Sequence, residues 1–243
     1  MIEFKNLVKR FGTHTVLNGL NLSIQEGEIV FILGTSGTGK SVLLKNIVGL
    51  MTPDEGEIWI DGQEVARLSE EDYFLVRKKC GMVFQHPALF DSLNVFENVA
   101  FGLRRHFNLS EAEIIERVDK ALKVVHLSGI SQKMPAEISY GMQKRVSLAR
   151  TVALEPKILL FDEPTTGLDP VTTTAVNNLI LELSRQLRTT SLVVSHDMKC
   201  ALEIADQIIL LDKGKIIAQG TPDQIKLSKV PLAQEFLQEV MSL

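Results

Sequence analysis

Gly34-Thr35-Ser36-Gly37-Thr38-Gly39-Lys40-Ser41 constrains this chain more than any other stretch. It fits G-x-x-x-x-G-K-[S/T] at every fixed position. Before it stands an apolar run, Glu28-Ile29-Val30-Phe31-Ile32-Leu33, which reads as a buried strand. After it, Lys40 to Leu50 reads as a helix. The residue types have physical reasons. Glycines let the backbone wrap closely and aim N–H groups at phosphate oxygens. The following helix N-terminus adds partial positive charge. Lys40 supplies a full charge for the β- and γ-phosphates, and the Ser41 hydroxyl suits Mg2+. The stretch predicts a phosphate-binding loop in which Gly34, Thr35, Ser36, Gly37, Thr38, Gly39, Lys40, Ser41 and the adjoining Val42 surround a nucleotide.

A second constellation supports the first. Ile158-Leu159-Leu160-Phe161 is another buried strand, ending in Asp162 and Glu163. Open α/β sheets bind ligands at the carboxyl ends of their strands, where these acids emerge. Alone, a pair of acids at a strand end is most simply a solvated surface. Beside a phosphate loop, Asp162 is expected to hold Mg2+ and Glu163 to polarise the attacking water as general base. Ser191-Leu192-Val193-Val194 reads as a third buried strand.

Apolar runs alternating with helical patterns imply an α/β domain with a largely parallel sheet. Residues 87–152 are poorer in strand signals: Leu93 to Leu103, Ser110 to Leu127 and Tyr140 to Leu154 read as helices. We therefore expect one domain over 1–243, with an α/β core from 1–86 and 153–220, an inserted helical subdomain over 87–152 and a helical tail over 221–243. A length of 243 residues, long for one ordinary domain and short for two, agrees with that division. With 30 acidic against 26 basic residues, net charge −4, the chain has no general basic footprint, so no nucleic-acid partner is expected. Cys80 and Cys200 lie far apart and form neither a metal cluster nor a disulfide framework. No apolar run approaches the roughly 20 residues of a membrane span, so work at a membrane would need a partner.

The remaining motifs distinguish among phosphate-loop proteins. Gln85 follows the strand Gly81-Met82-Val83-Phe84, and Ile138-Ser139-Tyr140-Gly141-Met142 precedes a helix ending Ser147-Leu148-Ala149-Arg150. Thr166-Gly167-Leu168-Asp169-Pro170 follows the acidic pair, and Ser195-His196-Asp197 follows the third strand. Phe11 stands in Lys9-Arg10-Phe11-Gly12. Each alone is weak: a histidine after a strand is usually structural, and an aromatic near the start usually belongs to a core. In this order and spacing they resemble the ATP-binding cassette family over nearly the whole chain. The resemblance implies an antiparallel N-terminal β part and a glutamine loop at Gln85, acting in catalysis and near the metal. It implies a signature at Ser139 and Gly141, an aspartate loop at Asp169, a switch histidine at His196 and an adenine-stacking ring at Phe11. It further implies ATP and Mg2+ as cofactors and a head-to-tail dimer, in which the phosphate loop of one copy faces the signature of the other.

Tyr140 and Met142 depart from the usual signature, where a glycine and a glutamine stand. A glycine that needed positive φ could not become tyrosine without strain. Either the backbone here is ordinary or the trans site is weakened. A single cassette resembles a bacterial transporter subunit working with separate membrane permeases, peripheral on the cytoplasmic face of the inner membrane. Pro87-Ala88-Leu89-Phe90 with Leu93, Val95 and Phe96 stands where the family receives the permease's coupling helix. Within the family, the segments around Ser41-Val42-Leu43-Leu44, Tyr73 to Lys79 and Ala88 to Ala100 resemble Mla-type cassettes, which implies lipid movement with MCE-domain carriers. A polar amino-acid or other small-solute importer, and a soluble ABC ATPase, remain the alternatives. In the tail, Leu232, Phe236, Leu237, Val240 and Met241 share one face of a short helix that must pack on something, its own core or a neighbouring subunit.

Overall fold

The computed structural model describes residues 1–241, and side chains to residue 240. Among the described residues the strands form two sheets. The first is antiparallel, ordered β2-β1-β4-β5, from β1 (Ile2–Phe11), β2 (His14–Ile24), β4 (Glu55–Ile60) and β5 (Gln63–Glu64). The second runs β10-β9-β3-β8-β7-β6, from β3 (Ile29–Leu33), β6 (Cys80–Val83), β7 (Ile158–Asp162), β8 (Thr190–Ser195), β9 (Gln207–Asp212) and β10 (Lys215–Gly220). Its pairings are parallel except β9 with the edge strand β10. This is an α/β fold with a mostly parallel sheet.

The central strands are apolar throughout because both faces are covered. On β3, Ile29, Phe31 and Leu33 join one core cluster while Val30 and Ile32 join another. β7 divides likewise, with Leu159 and Phe161 on one side and Ile158 and Leu160 on the other. One cluster gathers the antiparallel sheet with α1 (Lys40–Ile47) and α2 (Glu70–Lys79). The other gathers α3 (Val95–His106), α4 (Glu111–Val124), α5 (Tyr140–Val152), α6 (Pro170–Gln186) and α7 (Met198–Ile204).

Helix starts follow side-chain chemistry. Ser110 and Glu113 form a reciprocal capping box on α4, and Asn94, Ser139, Asp169 and Asp197 cap α3, α5, α6 and α7. Helix α1 ends earlier than its sequence pattern predicts. Gly49 turns left-handed at φ +66°, Gly49 N–H donates to Asn46 O at 3.3 Å, and Leu50 N–H donates to Lys45 O at 2.9 Å. That is a Schellman closure. A Cβ on Gly49 would also lie 2.6 Å from the Tyr73 ring, so the stop requires glycine twice over.

The tail forms α8 (Pro222–Lys226), capped by Thr221, and α9 (Pro231–Met241). Ala233 and Phe236 are buried in the larger cluster, with Leu232, Leu237 and Val240 packed partly against it. The tail stripe thus packs on its own chain, against α7 and α8; the Met241 side chain and residues 242–243 lie outside the described residues. Phe236→Ala should cost about 3–5 kcal/mol, the usual loss for a buried phenylalanine. Urea denaturation at two protein concentrations checks it, the same loss at both being expected of packing within one chain.

Candidate nucleotide site

The carboxyl ends of β3, β8 and β7 lie side by side and carry the chemistry. From β3 the chain enters the loop 34–39. A Cβ at Gly34 would collide with the Leu211 carbonyl and lie 2.8 Å from Thr38 Oγ1. Gly37 and Gly39 sit at φ +81° and +102°, backbone that side chains disfavour. Lys40 opens α1 with its ammonium buried, donating to Gly34 O at 2.8 Å and Thr35 O at 3.1 Å. Burial lowers its pKa, while Glu163 and Asp162 pull it back up.

Ser41 Oγ donates to Asp162 Oδ1 at 2.6 Å. Among the described residues no group of three or more His, Cys, Asp or Glu side chains could hold a metal. The hydroxyl and carboxylate oxygens fit Mg2+, which favours few protein ligands and takes the rest from phosphates and water.

Glu163 extends beyond β7 with φ +49°, rare for a residue bearing a side chain. Its N–H donates to Val194 O at 2.9 Å, which fixes the turn. Its carboxylate reaches His196 Nδ1 at 2.8 Å and Lys40 Nζ at 3.7 Å, and accepts from Thr166 Oγ1 at 3.3 Å. Burial opposes its ionisation, but His196, Lys40 and Thr166 outweigh that and hold the carboxyl below its ordinary range. The hydrogen bond to Glu163 in turn raises the His196 pKa against partial burial.

One cleft is lined by Ser36, Gly37, Thr38, Gly39, Lys40, Ser41, Val42, Gln85, Glu163 and His196. Gly34, Thr35 and Asp162 lie behind these, against Lys40 and Ser41. His14, Val16 and Thr166 also line the cleft. Thr166 fell inside a recognised motif without a role of its own, and nothing in sequence marked the two β2 residues. Phe11 is not among the lining residues: it ends β1, paired with His14, and is 47% exposed.

Ser139, Gly141 and Asp169 do not line this cleft. They stand at the starts of α5 and α6. Ser139 Oγ accepts from Met142 N–H at 3.3 Å. Asp169 accepts from the N–H groups of Val171 at 3.1 Å and Thr172 at 3.0 Å, so its carboxylate caps α6. A Cβ on Gly141 would lie 2.8 Å from Thr172 Cγ2, so the two helix starts meet closely. Tyr140 is helical and not among the positive-φ residues, so of the two expectations the ordinary backbone holds.

With that geometry in place, the comparisons are direct. The ABC transporter family model matches residues 17–166. The chain is 43% identical over 237 residues to the intermembrane phospholipid transport system ATP-binding protein MlaF of Haemophilus influenzae, covering 98% of this chain and 90% of that one. It is 40% identical to the methionine import ATP-binding protein MetN of Carboxydothermus hydrogenoformans, covering 100% of this chain and 73% of that one. Among solved structures, the ATP-binding cassette MJ0796, a dimer bound to ADP and Pi, superposes with TM-score 0.84 at 34% identity, over 91% of this chain and 99% of that one. The cassette cbiO1 of Clostridium perfringens gives TM-score 0.87 at 32% identity, over 100% and 98%. The chain belongs to the ABC transporter family. It is an ATPase that uses ATP with Mg2+. Among the described residues no helix is long and apolar enough to cross a membrane.

The Glu163–His196 pair has a defined pH window. The raised histidine pKa contributes fully below 6.5 and is lost as pH rises through the raised value. The lowered glutamate pKa contributes above 4.5 and is lost as pH falls through the lowered value. The pair is therefore strongest between 4.5 and 6.5, although His196 is 64% exposed and solvent screens it. NMR titration should place the His196 midpoint above 6.5 in the parent and lower it in Glu163→Gln, which removes the charge that raises it. An unchanged midpoint would show that Glu163 does not set it.

Proposed function

We propose that this chain is the ATP-hydrolysing subunit of a transporter and closes head to tail on a second copy around Mg-ATP. One observation carries the site reading: Lys40, the Ser41–Asp162 pair and the Glu163–His196 pair converge on one cleft. In this reading the loop 34–42 cradles the phosphates, with Lys40 charge-paired to them. Ser41 and Asp162 would hold Mg2+ with Gln85 nearby, and the bound ion would supply charge to neutralise the phosphates. Glu163, kept ionised by its neighbours, accepts a proton from water. His196 contacts the terminal phosphate. Ser139 and Gly141 serve the cleft of the opposite copy, with Asp169 at that interface. This is supported by their position outside their own chain's cleft and by the dimeric form of the MJ0796 relative. Phe11, exposed at the end of β1, is available to stack on adenine. Glu163→Gln should retain ATP binding and lose turnover by about 10² to 10⁴, the scale of a general base. It should also accumulate as an ATP-dependent dimer on a sizing column; parental turnover would reject Glu163 as the base.

The work done is proposed to be phospholipid movement between membranes, with permease subunits and an MCE-type carrier. The cassette would then sit peripherally on the cytoplasmic face of the inner membrane. The MlaF relative supports this, because it matches in identity and also in length. The MetN relative keeps a small-solute importer as the second reading. Nothing in an ATPase subunit contacts cargo, so the choice needs the assembly. Purified together with its permease subunits, the complex should retain glycerophospholipid by mass spectrometry. Stimulation of its ATPase by an amino acid, with no lipid retained, would favour the importer.

A further inference from the structure

Tyr140 opens α5 at the signature segment, where it could be a passive substitute for a small residue, but its contacts are specific. Its hydroxyl lies 3.2 Å from Nδ1 of His86, the residue after Gln85. Lys144 Nζ lies 5.4 Å above its ring. A Cβ built on Gly167 would stand 3.7 Å from Tyr140 Cε1. Lys144 is itself buried and donates to Pro164 O at 2.8 Å and Thr166 O at 2.7 Å. Thr166 donates onward to Glu163.

These contacts form one path. It runs from the loop after β6, through His86 and the Tyr140 ring, to the turn that follows β7. One end carries Gln85 and the other carries Glu163. A glycine at position 140 would offer neither the hydroxyl nor the ring. A second tie from α5 strengthens the same loop: Arg150 donates to Ala88 O at 2.8 Å and Pro87 O at 3.2 Å. Helix α5 therefore grips the Gln85 loop at two points and the Glu163 turn at another. The tyrosine bonds the first segment through His86 and reaches the second through Lys144, whose ammonium lies over its ring.

We propose that Tyr140 is a positioning residue for ATP hydrolysis, fastening the Gln85 loop to the Glu163 turn through its bond to His86. It touches no reacting atom, and the inference rests on the roles given above to Gln85 and Glu163. Near-attack geometry is sensitive to small displacements, so slackening this tie should slow turnover more than it weakens substrate binding.

The test is a double-mutant cycle in the full chain, measuring kcat, KM for Mg-ATP and melting temperature. Tyr140→Phe removes the hydroxyl and keeps the ring. His86→Ala removes its partner. Each should lower kcat about three- to tenfold, the scale of one net hydrogen bond, with KM and melting temperature unchanged. The double variant should be no slower than the slower single, because both break the same contact. His86→Asn, whose amide can stand near the Nδ1 position, should regain most of the rate. Tyr140→Phe at the parental rate, independent multiplication of the two effects, or a rate that falls only in step with melting temperature would overturn the proposal. Glu163→Gln, assayed alongside, tests the base assignment separately. Its outcome leaves the Tyr140–His86 coupling legible on its own.

Discussion

A buried ammonium organises this molecule. Removing Lys40 from water is unfavourable, and two loop carbonyls and two nearby carboxylates offset part of the cost. Those partners come from distant segments. The carbonyls belong to the turn after β3, and the carboxylates end β7, with β8 between them. The register Leu33↔Ser195 and Asp162↔Val194 brings the three strand ends level. His196 then emerges beside Glu163 with one residue to spare. The charge set at the cleft thus depends on a sheet order that only a fully buried, two-faced sheet can maintain.

That dependence explains which features were legible in the sequence. The strands β3, β7 and β8 read clearly because burial on both faces leaves an unbroken apolar run. The start of α4 at Ser110 could be placed because its cap is local, Ser110 and Glu113 being three residues apart. The cleft residues from the loop and from β7 could be picked because their chemistry is concentrated in short motifs. Features set across the fold could not. The end of α1 depends on the ring of Tyr73, more than twenty residues away in sequence. His14 and Val16 reach the cleft only because the antiparallel sheet folds over the loop. The capping role of Asp169 was hidden because an aspartate before a proline reads equally as a loop ligand and as a helix start.

The region between β6 and β7 shows how local and distant terms combine. Its helices follow ordinary amphipathic spacing, yet its junctions with the sheet layer are polar. Asn98, fully buried, accepts from Phe90 N–H and donates to the Phe90, Leu93 and Asn94 carbonyls. Arg150 and Lys144 bind main-chain carbonyls of the loops on either side. Directional contacts of this kind define a hinge geometry better than apolar packing does, because sliding by one ångström breaks them.

The left-handed backbone at Glu163 has a consequence for how such a chain ages under drift. Position 163 sets conformational preference against chemistry. The main chain there would be more relaxed as glycine or asparagine, while the proposed proton-accepting role calls for a longer acid. The contacts to Lys40, His196 and Thr166 favour the glutamate, whatever its backbone costs. In a duplicated copy released from hydrolysis but still required to fold, a change here would relax the backbone but strip the buried Lys40 ammonium of a charged partner, so the residue is tied to the fold as well as to the chemistry.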